Sequence, residues 1–457
     1  VHGSRGLGDV YKRQESGALG FSTSRTILHR DVHGVYVPGT EASSEEMKSL
    51  AFAIDKAGEG TLEIVSDWLD KEIEMSWMRE YVEKSDCGLT VLQTSGDAVK
   101  TILFCEEQFL KGKNVRPQFP GRNVGMMFGL ESSLHPFIGH PSYREIADLP
   151  LSERVKIMKD PAFKEKLLNE KPNFASEIEK SMNEQGNTKS QEEIKEAANL
   201  GLKLISNYDT QFILGDPPNY EPGKEDSIAA LAKSKGIAEL EVIYDEFLKN
   251  EGTNLVYACF TPYDNHKLDF VERAYSLKSS VAGGSDGGAH CGLICDASMP
   301  TTNLSHWARD REAGKKIPIE LIVRKQTKDT AETYGLFDRG EIKTGMLADL
   351  NIIDFEKLNV THPKMVYDLP LGGRRLIQTS SGYLATVKSG EVVYEAGEAT
   401  GVLPGKLIRG KQTCEVKTEK ERVPFIDRTL RLMSVKAFKL LWNFRKSSVK
   451  TTVVSDD

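Results

Sequence analysis

Val281-Ala-Gly-Gly-Ser-Asp-Gly-Gly-Ala-His290 decides how the rest of the chain is read. A short apolar run closing on an Asp flanked by glycines places a carboxylate at the C-terminal mouth of a strand, where parallel barrels keep their chemistry. Asp286 is therefore the first candidate catalytic residue, and His290 stands beside it in the same loop. Taken alone, Ser285-Asp286-Gly287-Gly288 also describes an Asx turn that caps a strand. His290 has a similar alternative, a loop histidine bonded to backbone.

Working outward, short apolar runs alternate with helical stretches from Gly17 onward, the order of repeated βα units around a parallel sheet. Candidate strands are Ala18 to Thr23, Leu62 to Ser66, Leu89 to Gln93, Val115 to Phe119 and Ser279 to Gly283, with helices such as Ser44 to Ala57 and Asp97 to Lys111 between them. Residues 123–278 form a long excursion with little strand character. Leu151 to Leu200 and Asp226 to Asn250 are helical there, and Val256 to Phe260 is a short strand before the final barrel unit. This insertion reads as a lid. A single helix spans Pro318 to Gly335 with Ile319, Ile322, Val323 and Tyr334 towards the core, and alternating runs at Leu350 to Asp354 and Tyr383 to Tyr394 signal antiparallel strands.

At 457 residues the chain is long enough for a barrel of about 250 residues and a second lobe. Sixty basic against 67 acidic residues, net −7, give no general attraction to nucleic acid. A small polar or acidic substrate then needs a local cationic pocket. Six scattered cysteines without a C-x-x-C pair suggest neither a disulfide framework nor a zinc knuckle, and fit a reducing compartment such as the cytoplasm. No apolar run is long enough to span a bilayer.

The ends are unusual. Val1 to Gln14 resembles a translated sequencing adapter and is set aside as a non-native leader. The tail, residues 411–457, has eleven basic and six acidic residues, with Leu430, Leu432, Val435, Phe438, Leu441, Trp442 and Phe444 spaced as in a basic amphipathic helix. It packs on the body or on a partner subunit of a homo-oligomer, or alternatively lies on a membrane surface.

The stretch Gly340-Glu-Ile-Lys-Thr-Gly-Met-Leu-Ala-Asp-Leu350, with the spacing R-G-x-I-x-x-G-x-x-A-D-L-x-I-x-D through Asp354, resembles the return of an amidohydrolase chain from its barrel into a small β-sandwich. Together with Gly17-Ala-Leu-Gly-Phe-Ser-Thr-Ser24, Val37-Pro-Gly-Thr40 and Gly283 to His290, it resembles the N-acyl-D-amino-acid deacylase (D-aminoacylase) group of that superfamily. The downstream segment turns Asp286 from a turn residue into a functional one. The resemblance implies an α/β fold: a partial (β/α)8 barrel over residues 15–335 with the helical insertion at about 123–278, and a β-sandwich over 336–410. It also implies that about three strands precede Gly17, so that this chain is a fragment, unable to close its barrel, poorly soluble and inactive by itself.

The reaction implied is metal-assisted hydrolysis of a C–N amide bond in a small-molecule substrate, with a carboxylate that takes a proton and returns it to the leaving amine. Asp286 is given both roles, general base and metal ligand, and His290 orients water or donates to the substrate carbonyl. The later histidine ligands of the group fall where this chain has Val65-Ser66-Asp67 and Leu92-Gln93-Thr94, and neither position holds a histidine. One zinc ion (Zn2+) is then expected, with other ligands before Gly17 and Asp67 as an alternative donor. Ser66 and Gln93 become substrate contacts. Arg122 and Arg25, just past strands, are candidates to clamp a substrate carboxylate through two parallel hydrogen bonds. A cyclic-amide hydrolase of the hydantoinase or dihydroorotase kind, or a non-catalytic ligand-binding relative, remain the alternatives.

Overall fold

The computed structural model describes residues 17–27, 29, 36–68, 70–93, 99–174, 199, 201–285, 287–288 and 290–410. Four strands, β1 (Gly20–Arg25), β2 (Thr61–Ser66), β3 (Gly88–Leu92) and β4 (Val115–Pro120), lie parallel and side by side. Helices α1 (Ser44–Lys56), α2 (Lys71–Lys84) and α3 (Val99–Leu110) cross between them. The sheet is completed by Val281–Gly283, paired in parallel with β4, so all five expected barrel strands are present within a few residues of their expected bounds. A closed barrel of this kind has eight.

Capping explains where two of the helices begin. Ser43 accepts a hydrogen bond from the Glu46 amide (3.2 Å) at the start of α1, and Asp70 accepts one from Ile73 (3.0 Å) at the start of α2. Side chains alternate across a strand, so Leu62, Ile64, Leu89, Val91 and Val115 share one face. They pack against Met47, Ala51, Ile54, Trp77, Met78 and Tyr81 of α1 and α2. The other face is polar: Gln118 donates to Glu63 (2.9 Å), Tyr334 to the other Glu63 oxygen (3.5 Å), and Arg116 pairs with Glu332 (3.3 Å). One face of the sheet is therefore sealed by helices, while the other holds hydrogen-bonding groups.

The insertion corrects one expectation. It contains a three-stranded antiparallel sheet in which β7 (Val256–Thr261) lies between β5 (Val124–Phe128) and β6 (Gln211–Ile213). The strand at Val256 thus pairs inside the insertion and not with the barrel strands. Helices Leu151–Met158, Ile228–Lys235 and Glu239–Phe247 cover this sheet around Phe128, Phe137, Tyr244 and Phe247.

The insertion is fastened to the segment after the fifth strand, now β8 (Val281–Gly283), by a buried carboxylate. Glu221 receives Arg311 through two bonds (Nε 2.9 Å, Nη2 3.0 Å) and meets His306 Nε2 at 2.8 Å. Burial alone raises the Glu221 pKa, but the bonds from His306 and Arg311 outweigh it and hold the carboxyl at about 2. A depressed folded pKa means the contribution is complete above the unfolded value near 4.5 and disappears as pH falls through about 2. We therefore expect wild type to exceed Glu221→Gln in stability by about 3 kcal/mol at pH 6, the gap narrowing below pH 4 in urea titrations.

After β8 comes a π-helical stretch, Asn303–Asp310, and then two helices, Ile319–Gln326 and Lys328–Thr333. The single helix expected from Pro318 to Gly335 is broken at Thr327 (φ −120°, ψ −85°), and Val323 faces solvent while Ile322 is buried. The chain then turns antiparallel: Leu350–Ile353, Tyr383–Lys388, Glu391–Glu395 and Glu398–Ala399 form one sheet, with Lys364–Leu369 and Gly373–Ile377 a separate pair. The protein is thus α/β with an antiparallel C-terminal unit. Among the described residues no helix is long and apolar enough to cross a membrane. The tail from 411 onward, with its expected amphipathic helix, lies outside the described residues.

Candidate active site

Parallel pairing brings the C-terminal ends of five strands to one edge of the sheet, and the residues singled out above follow those ends. Arg25 ends β1, Ser66 ends β2 with Asp67 after it, Gln93 follows β3, Arg122 lies two residues past β4, and Gly284 follows β8. Asp286 lies outside the described residues. His290 is described: it is exposed, adopts a left-handed backbone (φ +51°), and its carbonyl accepts the Leu293 and Ile294 amides at 2.8 Å.

A common edge does not mean a common face. Arg25, Ser66 and Gln93 share the parity of Ile64 and Val91, the side covered by helices. Arg25 accordingly binds Glu74 of α2 (2.6 Å) and the carbonyls of Ala42 (2.9 Å) and Gly39 (3.2 Å). Ser66 accepts the Trp68 amide (3.1 Å). Gln93 is 1% exposed, and neither carboxamide atom has a hydrogen-bond partner among the described residues. Asp67 has the opposite parity, that of Glu63, and accepts the Ile27 amide (2.8 Å). Of the edge residues from the first three strands, Asp67 alone has the parity of the polar face.

Arg122 was expected at an open mouth and lies instead in the interior. Its side chain is fully buried, pairs with Asp296 (3.1 Å), donates to the Cys295 carbonyl (2.9 Å) and stacks on the Tyr220 ring (3.7 Å). Burial disfavours its charge, but Tyr220 and Asp296 reverse the effect and its pKa stays above the ordinary value. Both Arg25 and Arg122 are engaged internally, so this geometry does not make either one a substrate-carboxylate anchor. The Asp296 and Tyr220 contacts carried no motif by which the sequence could have announced them.

Gly121, between β4 and Arg122, shows how tightly this edge is built. Its amide meets Met299 Sδ (3.2 Å), its carbonyl accepts Trp307 Nε1 (2.6 Å), and a Cβ would lie 1.8 Å from Asn303 Oδ1. Gly121→Ala is expected to cost about 2–3 kcal/mol through overpacking, as a lowered denaturation midpoint with an unchanged slope.

Residues 3–394 match the model of the Amidohydrolase family. The chain belongs to that family. Its structure is similar to that of a D-aminoacylase solved to examine the functional role of its binuclear metal centre (16% identity, TM-score 0.45). It is also similar to a D-aminoacylase described as defining a novel subset of amidohydrolases (16%, 0.43). A third likeness is to the L-hydantoinase (dihydropyrimidinase) of Arthrobacter aurescens (13%, 0.34). Each alignment covers 89% of this chain, against 65%, 65% and 70% of the other. The chain thus spans about two thirds of the length of the solved structures it matches. No curated protein sequence matches it.

Metal chemistry in an amidohydrolase requires His, Cys or carboxylate donors converging on one point. Among the described residues, no three such side chains are grouped to hold an ion. Ser66 and Gln93 bring only neutral oxygen and nitrogen, on the helix-covered face. The described residues therefore do not fit a complete metal site on their own.

A cavity of about 560 Å³ is at the other end of the sheet, lined by Thr61, Gly88, Asn114, Arg116, Glu332 and Tyr334. In parallel barrels that end serves stability, so its size does not make it the candidate site. A smaller cleft of about 240 Å³ between Leu130, Leu255 and Met365 borders none of the edge residues named above.

Proposed function

We propose that this chain is the catalytic part of a metal-dependent hydrolase of C–N amide bonds, with an N-acyl-D-amino acid as substrate and Asp286 as general base. The observation that carries the reading is the parallel pairing of β8 with β4 (Gln118 opposite Val281, Pro120 opposite Gly283), which brings Gly284, two residues before Asp286 in sequence, to the C-terminal edge of the parallel sheet in a chain of the Amidohydrolase family. A carboxylate at that edge takes a proton from the attacking water and returns it to the leaving amine. The divalent ion, zinc in this reading, takes its remaining donors from outside the described residues.

A second reading, a non-catalytic ligand-binding relative, draws on Ser66 and Gln93, which stand where imidazoles are expected and lie on the helix-covered face. One experiment separates the two. The gene-encoded protein is purified after growth with zinc, its metal content measured by plasma mass spectrometry, and hydrolysis followed for N-acyl-D-amino acids with the L-enantiomers and cyclic amides as controls. About one metal equivalent per chain with D-selective turnover supports the proposal. Less than about a tenth of an equivalent, with no turnover, overturns it in favour of the non-catalytic relative.

A further inference from the structure

The Gly284 to Ser298 loop begins with Gly284 and continues through Gly287 and Gly288, so its own backbone does little to define where it lies. Its far half is held from outside. The Leu293 carbonyl accepts the Met127 amide (2.7 Å), the Gly292 carbonyl the Ser133 amide (3.0 Å) and the Cys291 carbonyl the Leu376 amide (2.7 Å). Among the described residues, an ion pair joins these anchors: Arg122 with Asp296.

We propose that Arg122 is a positioning residue: through Asp296 and the Cys295 carbonyl it clamps this loop to the tip of β4, and the insertion and the C-terminal unit close the clamp. The loop and the insertion meet at its guanidinium. One nitrogen donates to the Cys295 carbonyl (2.9 Å) and lies at ion-pair distance from Asp296 (3.1 Å), the plane stacks on Tyr220 of the insertion (3.7 Å), and Tyr257 of β7 approaches at 3.5 Å. Tyr220 in turn accepts from Gln378 Nε2 (2.9 Å), and the other Gln378 amide atom accepts from Ser298 at the end of the loop. A planar, forked cation can stack and bind sideways at once, which an ammonium cannot. A charge with no access to water tolerates only the arrangement that keeps it paired, so the pair selects one loop position. The antiparallel C-terminal unit is, on this view, a brace for the site. The functional weight of the clamp rests on the reading that the loop carries the catalytic carboxylate.

Hydrogen exchange followed by mass spectrometry on the full chain tests it, with Arg122→Lys and the near-isosteric Asp296→Asn. Amides in 290–298 and 218–222 should exchange at least about tenfold faster, while β2, β3 and β4 change by less than about twofold. Unchanged loop protection in both variants overturns the clamp. So does a loss that spreads evenly into β2 to β4, which marks a merely structural pair. If Arg122→Lys fails to fold, Asp296→Asn with Gln378→Ala decides by the same criterion. In the gene-encoded protein, Asp296→Asn should lower kcat for amide hydrolysis about tenfold with KM within about twofold, and the reverse split overturns positioning. A wild type without amide hydrolysis rejects the proposed function, while the exchange data still decide the clamp.

Discussion

If the proposed function holds, Asp286→Asn is expected to lower kcat for amide hydrolysis about a thousandfold, inside the range of about 10²–10⁴ that a positioned acid–base group contributes. The substitution keeps the shape of the side chain and removes its ability to take a proton. Folding should survive, because the flanking Gly284, Gly287 and Gly288 leave the loop backbone tolerant and the described contacts that anchor the loop lie at Cys291 to Asp296. Circular dichroism and the urea midpoint check that point. The assay is a time course of amine release at saturating substrate, repeated across pH. A variant with wild-type turnover removes Asp286 from the mechanism. A variant lacking both turnover and a folded baseline is read only after its metal content is compared with wild type.

The second large effect is on stability. Arg311→Met should cost about 3–5 kcal/mol, the usual consequence of removing one partner from a buried ion pair. Arg311 is 2% exposed, binds Glu221 twice, reaches Glu272 at 2.5 Å and lies over the Trp307 ring at 4.3 Å. Methionine fills much of the space but leaves Glu221 with His306 as its remaining side-chain partner in this clasp. The double variant Arg311→Met with Glu221→Leu should recover a large part of the loss, since burying neither charge avoids the uncompensated one. Equal stability of the single variant and wild type in urea would refute the assignment of this clasp as the fastener of the insertion.

The parallel strands were legible because each is a short apolar run set between glycines or polar turns, a pattern that needs no tertiary knowledge. Helix α2 carries an equally plain signal: Asp70 caps it, and Ile73, Trp77 and Tyr81 recur at four-residue steps. The insertion sheet was not legible. Gln211–Ile213 is only three residues long, and nothing local distinguishes Val256–Thr261 as a partner of Val124–Phe128 from a barrel strand. For the site, the sequence marks the strand ends, and the face each residue takes follows only from its parity. Counting parity from Ile64 and Val91 assigns Ser66 and Gln93 to the helix side, whereas the interior fate of Arg122 depends on Asp296 and Tyr220, which approach from far along the chain. Arginine after a strand looks the same in sequence whether it faces solvent or a buried carboxylate.

The order of strands in the parallel sheet also dictates how the chain assembles. β1 to β4 are sequential neighbours, each pair joined by a single helical crossover, so they can zip up early from nearby contacts. β8 pairs with β4 only after the whole stretch from Gly121 to Ser280 has been looped out, which carries a larger closure entropy. The insertion must become compact before that ring can shut. β8 is therefore expected to join the sheet after β1 to β4, and pulse-labelling during refolding should find β8 protected after β2 and β3.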